Sequence, residues 1–128
     1  MHVYNINPNT IHQPFGYYSH GVLGVQPNQL LVTSGQLGID SHGTVPESCY
    51  DQALLCFQAI TAVLEEAKMT ASNIVRLNAF VTEREDFPAY MKARDRFVAT
   101  PPPASTLLIV SGFTRPEFKV EVECAAIA

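Results

Sequence analysis

The apolar positions along the chain switch between a period of two and a period near 3.6, and the switches mark out its elements. Residues 1 to 16 hold Pro8 and Pro14 among polar neighbours, which predicts an extended, loop-like start with room for one short strand. Residues 17 to 25 predict a strand, "QPNQ" a turn, and "LLVTSGQLGI" a second strand, the two forming a hairpin. "DSHGTVPE" follows as a loop. From Ser48 the pattern turns helical: Ala53, Leu54, Phe57, Ile60, Thr61, Leu64 and Ala67 recur at three- and four-residue steps, with Ser48 and Asp51 as the start signal. "IVRLNAFVT" reads as a strand, with Val75, Leu77, Ala79 and Val81 on one face and Ile74, Arg76, Asn78 and Phe80 on the other. A second helix is predicted from Pro88, because a residue before proline avoids the helical conformation. Its inward stripe is Tyr90, Met91, Arg94, Phe97 and Val98. "ATPPP" stops it, and two strands close the chain.

The order β-β-α-β-α-β-β predicts a two-layer α/β (α+β) sandwich in one domain over residues 1–128, both helices covering one side of the sheet. The other side is the unusual one. In the last strand Val120, Val122 and Cys124 alternate with Lys119, Glu121 and Glu123. In the strand before it Thr106, Leu108 and Val110 alternate with Ser105, Leu107 and Ile109. Neither of those two sets is polar enough to face water. Leu107 and Ile109 are assigned to the helix-free face, which calls for a covering partner, and a second copy of the chain is the natural one.

Composition narrows the function. The chain is 47% apolar and 16% charged, with a formal net charge of −4. Its eight Lys and Arg residues are scattered, so no surface tracks phosphates and no nucleic-acid partner is expected. No apolar run is long enough to span a bilayer, so no membrane partner is expected either. The first residues lack the pattern of an export signal, which predicts a cytoplasmic location. Three cysteines then predict reduced thiols. Cys49 and Cys56 stand two helical turns apart, roughly 10.5 Å, too far for a disulfide. His2, His12, His20 and His42 are dispersed and no ligand spacing occurs, so no metal site is expected.

"GYYSHGV" at 16 to 22, "VTSGQLGID" at 32 to 40, and "PAST" with "RPEFKVEVECAAIA" after residue 103 resemble the RidA family, also called YjgF. The helical segment "DQALLCFQAITAVLEEAKM" and "VRLNAFVTEREDF" fit the same pattern, so the resemblance covers nearly the whole chain in order. It implies a chorismate-mutase-like fold assembled as a homotrimer, with sheets lining a central barrel and helices outward. It implies small ligands in clefts between subunits, hydrolysis of enamines and imines to ammonia and a 2-oxo acid, and no cofactor or metal.

The resemblance also assigns residues. Tyr18 matches the family's cleft tyrosine. Ser34, Gly35 and Gln36 match its Ser-Gly-Gln turn, and Glu121 matches the glutamate thought to position a water. The deaminating members carry an arginine in a Pro-Ala-Arg setting, whose fork suits a carboxylate. Here that setting reads Pro103-Ala104-Ser105-Thr106, so Ser105 stands where the arginine would be. Ser105 and Thr106 remain candidate ligand contacts, Met91 replaces a helix asparagine, and Leu107 a cysteine. His20 and Arg115 are the candidate substitutes for the missing cation. A carboxylate substrate is expected to bind weakly. The alternative to an enzyme is a trimer that binds a small metabolite without turning it over; a ribonuclease or translation inhibitor is the third possibility, opposed by the acidic charge.

Overall fold

The computed structural model describes residues 1–128. Its elements are β1 (His2–Ile6), β2 (Gly21–Val25), β3 (Leu30–Val32), β4 (Gln36–Leu37), α1 (Cys49–Glu66), β5 (Ile74–Val81), α2 (Phe87–Phe97), β6 (Ala104–Ile109) and β7 (Val120–Ile127). The main sheet runs β3-β7-β5-β6, with β4 pairing further along β7. Only β5 and β6 are parallel, joined across α2; β7 runs antiparallel between β5 and the β3–β4 strand pieces.

Both helices pack on one side of this sheet, as the two-layer expectation requires. α1 begins at Ser48, whose hydroxyl accepts from the Asp51 backbone N–H, and ends in a paired turn where Lys68 N–H donates to Glu65 and Met69 N–H to Leu64. Lys68 takes a left-handed φ of 59° there. Ala53, Cys56, Phe57, Ile60 and Leu64 of α1 and Tyr90 and Ala93 of α2 meet Leu77, Ala79 and Val81 of β5 and Val120, Val122 and Cys124 of β7. Phe57 stacks on Phe97 at 4.5 Å, fixing helix against helix. The buried Gln52 side chain ties the loop ends to this core: it donates to the carbonyls of Pro46 and Glu117 and accepts from the Lys119 N–H.

Several sequence expectations change. β2 does not form a hairpin with β3. It pairs antiparallel with β1 in a separate two-stranded ribbon, and β3 pairs with β7. The strand predicted over 17–25 is confined to Gly21–Val25, and the one over 30–39 breaks into β3 and β4. The break is a one-residue bulge, since three residues separate Val32 from Gln36 while two separate their partners Ala125 and Val122. In β5 a register shift between Ile74 and Arg76 puts Ile74, and not Val75, on the buried face with Leu77. Phe87 is helical despite the proline after it, because the 3-10 turn Arg84–Asp86 runs straight into α2.

The largest change concerns β6. Its parallel register sets Ser105 beside Leu77 and Leu107 beside Ala79, on the helix side, and Thr106 beside Asn78 and Leu108 beside Phe80, on the open side. Leu107 and Ile109 therefore do not form the helix-free apolar face. That face carries instead Leu30 and Val32 of β3, Phe80 of β5 and Leu108 of β6, with Leu30 70% and Val32 65% exposed. The open sheet side is therefore mixed: these apolar residues share it with Arg76, Asn78, Thr106, Glu121 and Glu123.

Candidate active site

The prolines before β6 build the first part of the site with their carbonyls. Proline lacks an N–H but keeps its acceptor. Pro102 O accepts from the Ser19 hydroxyl and from Asn5 Nδ2, and Pro103 O accepts from the Ser19 N–H at 3.0 Å. Residues 16–20 are thereby laid alongside the start of β6, where Ser19 bridges Ala104. Tyr18 and Ser105 then line the same cavity of about 330 Å³ between this segment, β6 and α2. The Tyr18 hydroxyl accepts from the Phe15 N–H and closes the 15–18 turn. Phe15, Phe87, Met91 and Leu107 give the cavity apolar walls, and the Ser105 Oγ is buried without a hydrogen-bond partner.

A residue that sequence reasoning missed also lines this cavity. Arg94 sits one turn after Met91 on α2, and its side chain is 5% exposed. Its Nε and Nη2 both donate to the same Asp95 Oδ1, at 3.0 Å each. The signal was present: a basic residue in the inward stripe of an amphipathic helix asks what it faces. The two proposed substitutes lie elsewhere. His20 is held through Nε2 by the His12 carbonyl, and Arg115 pairs with Glu117 over the Phe118 ring.

The second part of the site lies on the open side of the sheet. Leu37, Glu121, Phe80 and Leu108 form one row across four strands. Gly35 sits against the Glu121 side chain so closely that a Cβ there would lie 2.5 Å from Oε1. Any other residue at 35 would displace the carboxylate. Burial in this apolar row, and then the charge of Glu123, hold the Glu121 carboxyl above its ordinary value. Ser34 is exposed, while Gln36 pairs with Val122 and so shares the helix side; its amide donates to the Ser34 carbonyl. Thr106 does not accompany Ser105: it lies on the open side, where its hydroxyl accepts from Arg76.

The candidate residues thus divide into two sets. Tyr18, Ser105 and Arg94 border a cavity on the helix side, and Gly35, Glu121 and Thr106 stand on the opposite side of the same sheet. One chain cannot bring them together. The cysteines belong to neither set: all three are free and buried, and burial first of all pushes the Cys49 and Cys56 thiols up to about 12. No three His, Cys, Asp or Glu side chains cluster as metal ligands would, and no helix is long and apolar enough to cross a membrane.

An α+β chain of this fold has known counterparts. Residues 10–128 match the family model described as Endoribonuclease L-PSP, and the chain belongs to that family, the RidA or YjgF proteins. Among its relatives, a protein of Dermatophagoides farinae named 2-iminobutanoate/2-iminopropanoate deaminase is 29% identical over 117 residues, 90% of this chain and 88% of the relative. The mitochondrial protein mmf1 of Schizosaccharomyces pombe is 27% identical over 105 residues, 80% of this chain and 65% of mmf1. In structure the chain resembles the conserved Rid family protein YyfB of Yersinia pestis, with a TM-score of 0.88 at 24% identity, each covered completely.

Proposed function

We propose that the chain is a homotrimeric hydrolase that deaminates small reactive imines or enamines in clefts between subunits. The observation that carries this reading is the seating of Glu121 on Gly35, where the missing side chain leaves room for a partly buried carboxylate of raised proton affinity. Such a group suits the chemistry. A carboxylate takes a proton from water as the oxygen adds to the carbon of a protonated imine, returns it to the nitrogen, and takes up the hydroxyl proton as the carbinolamine collapses and ammonia leaves. Water and imine become ammonia and a carbonyl product, with no electron acceptor needed. The deaminase among the relatives supports the reaction class.

The division of the residues supports an oligomer, which this reading takes as the trimer. Pairing the helix-side cavity of one subunit with the open sheet face of its neighbour completes the cleft and covers Leu30, Val32 and Leu108. The reading includes a cytoplasmic location, supported by three unpaired cysteines, and no nucleic-acid partner, supported by the net charge of −4. Ser34 and Thr106 take lesser parts, at the rim of the neighbour's face, and Gln36 only supports the turn through its bond to the Ser34 carbonyl.

The test is ammonia release from an imine generated in situ by an amino-acid oxidase. Wild type should accelerate release over buffer, and Glu121→Gln should lose most of that acceleration, by roughly a hundredfold or more, while remaining folded. Light scattering should give three times the 14.1 kDa chain mass. A folded monomer, or full activity in Glu121→Gln, would overturn the reading. A trimer that binds ligand but releases no ammonia would be the non-catalytic alternative.

A further inference from the structure

Arg94 and Ser105 both carry donors that the protein leaves unspent. The Arg94 guanidinium is 95% removed from solvent by its own surroundings, yet a single carboxylate oxygen, Asp95 Oδ1, takes up its Nε and one Nη2 hydrogen. The Nη1–Nη2 edge has no protein acceptor, and beside it lies Gly16, where even a Cβ would stand 3.6 Å from Nη2. Ser105 Oγ, buried in the same cavity wall, has no partner at all. The other walls are aromatic or aliphatic. A deeply set guanidinium with a free bidentate edge facing such a pocket is well matched to an anion with two coplanar oxygens.

From this geometry we infer that Arg94, supplied from α2 and not from β6, is the anion anchor of the cleft and holds the ligand's carboxylate. Ser105 adds one neutral hydrogen bond and leaves room for the guanidinium. The ligand's chain lies against Met91 and Leu107, within a cavity of about 330 Å³ that admits a few carbons. This rests on the intersubunit-cleft reading above and reverses one sequence expectation: the carboxylate hold is relocated, not lost.

The experiment uses 2-oxobutanoate as a stable stand-in for the imino acid, with butanone as its uncharged counterpart, and follows binding by calorimetry on the intact oligomer. Wild type should bind the acid at millimolar concentration and prefer it to the ketone. Arg94→Gln should weaken acid binding tenfold or more, with the ketone unaffected. Arg94→Gln combined with Ser105→Arg should recover acid binding by moving the guanidinium to the strand. Ser105→Asp, which leaves α2 untouched, should abolish acid binding by satisfying Arg94 from within, so the inference stays testable if Arg94→Gln does not fold. Acid binding unchanged in Arg94→Gln or in Ser105→Asp overturns it. Failure of wild type to bind the acid while hydrolysing neutral imines overturns the anchor and leaves the hydrolase reading standing. Acid binding without ammonia release does the opposite.

Discussion

At the scale of single residues, Glu121 carries a consequence beyond its chemistry. Its carboxyl is held above the ordinary value by burial and by Glu123. The folded chain therefore keeps this proton at pH values where the unfolded chain has released it. The stabilisation is fully present below the ordinary carboxylate range and is lost as pH rises through the raised folded value. Glu121→Gln should accordingly melt higher than wild type near neutral pH, and the two should converge in acid below about pH 4. Thermal melts across that range check it; a variant that melts lower at neutral pH would show that Glu121 stabilises the fold as an anion. The family pattern picked out Glu121, Gly35, Tyr18 and Ser105 as candidates. Arg94 could be read only as a basic residue in the inward stripe of a helix; that it borders the same cavity as Ser105 comes from the packing of α2 on β6.

Secondary-structure elements were legible where their signals are local. The start of α1 shows it: Ser48 followed by Asp51 is a local code, and the Ser48 hydroxyl caps the helix as that code demands. Pairing was less legible because it is not local. "QPNQ" looks like a hairpin turn, but Asn28 and Gln29 donate both of their N–H groups to the Ala128 carbonyl, tying the turn to the far end of the chain. For β6 the alternation itself is uninformative, since Ser105, Leu107 and Ile109 are as apolar as Thr106, Leu108 and Val110; the register with β5 decides the face. One element end invites improvement. Lys68 holds the left-handed position after α1 that glycine takes at least cost. Lys68→Gly should stabilise the chain by about 0.5–1 kcal/mol, read by chemical denaturation, and no gain would mean that the lysine's side chain repays its strain.

For the whole molecule, the candidate site is divided between opposite sides of one sheet. In the proposed trimer no subunit owns a cleft: each lends a cavity to one neighbour and a glutamate to the other. Leu108 sits in the row with Glu121 on the face to be covered and is 51% exposed in the single chain. Leu108→Lys should hold the chain as a folded monomer, without activity, by light scattering and circular dichroism; an active trimer would place the contact elsewhere. The same division reaches into inheritance. A cell with one gene copy encoding Arg94→Gln and another encoding Glu121→Gln makes no sound subunit. Random assembly still unites an intact cavity with an intact glutamate in about a quarter of its clefts. In that trimer two damaged alleles would thus rescue one another, whereas two alleles damaged on the same side of the sheet never could.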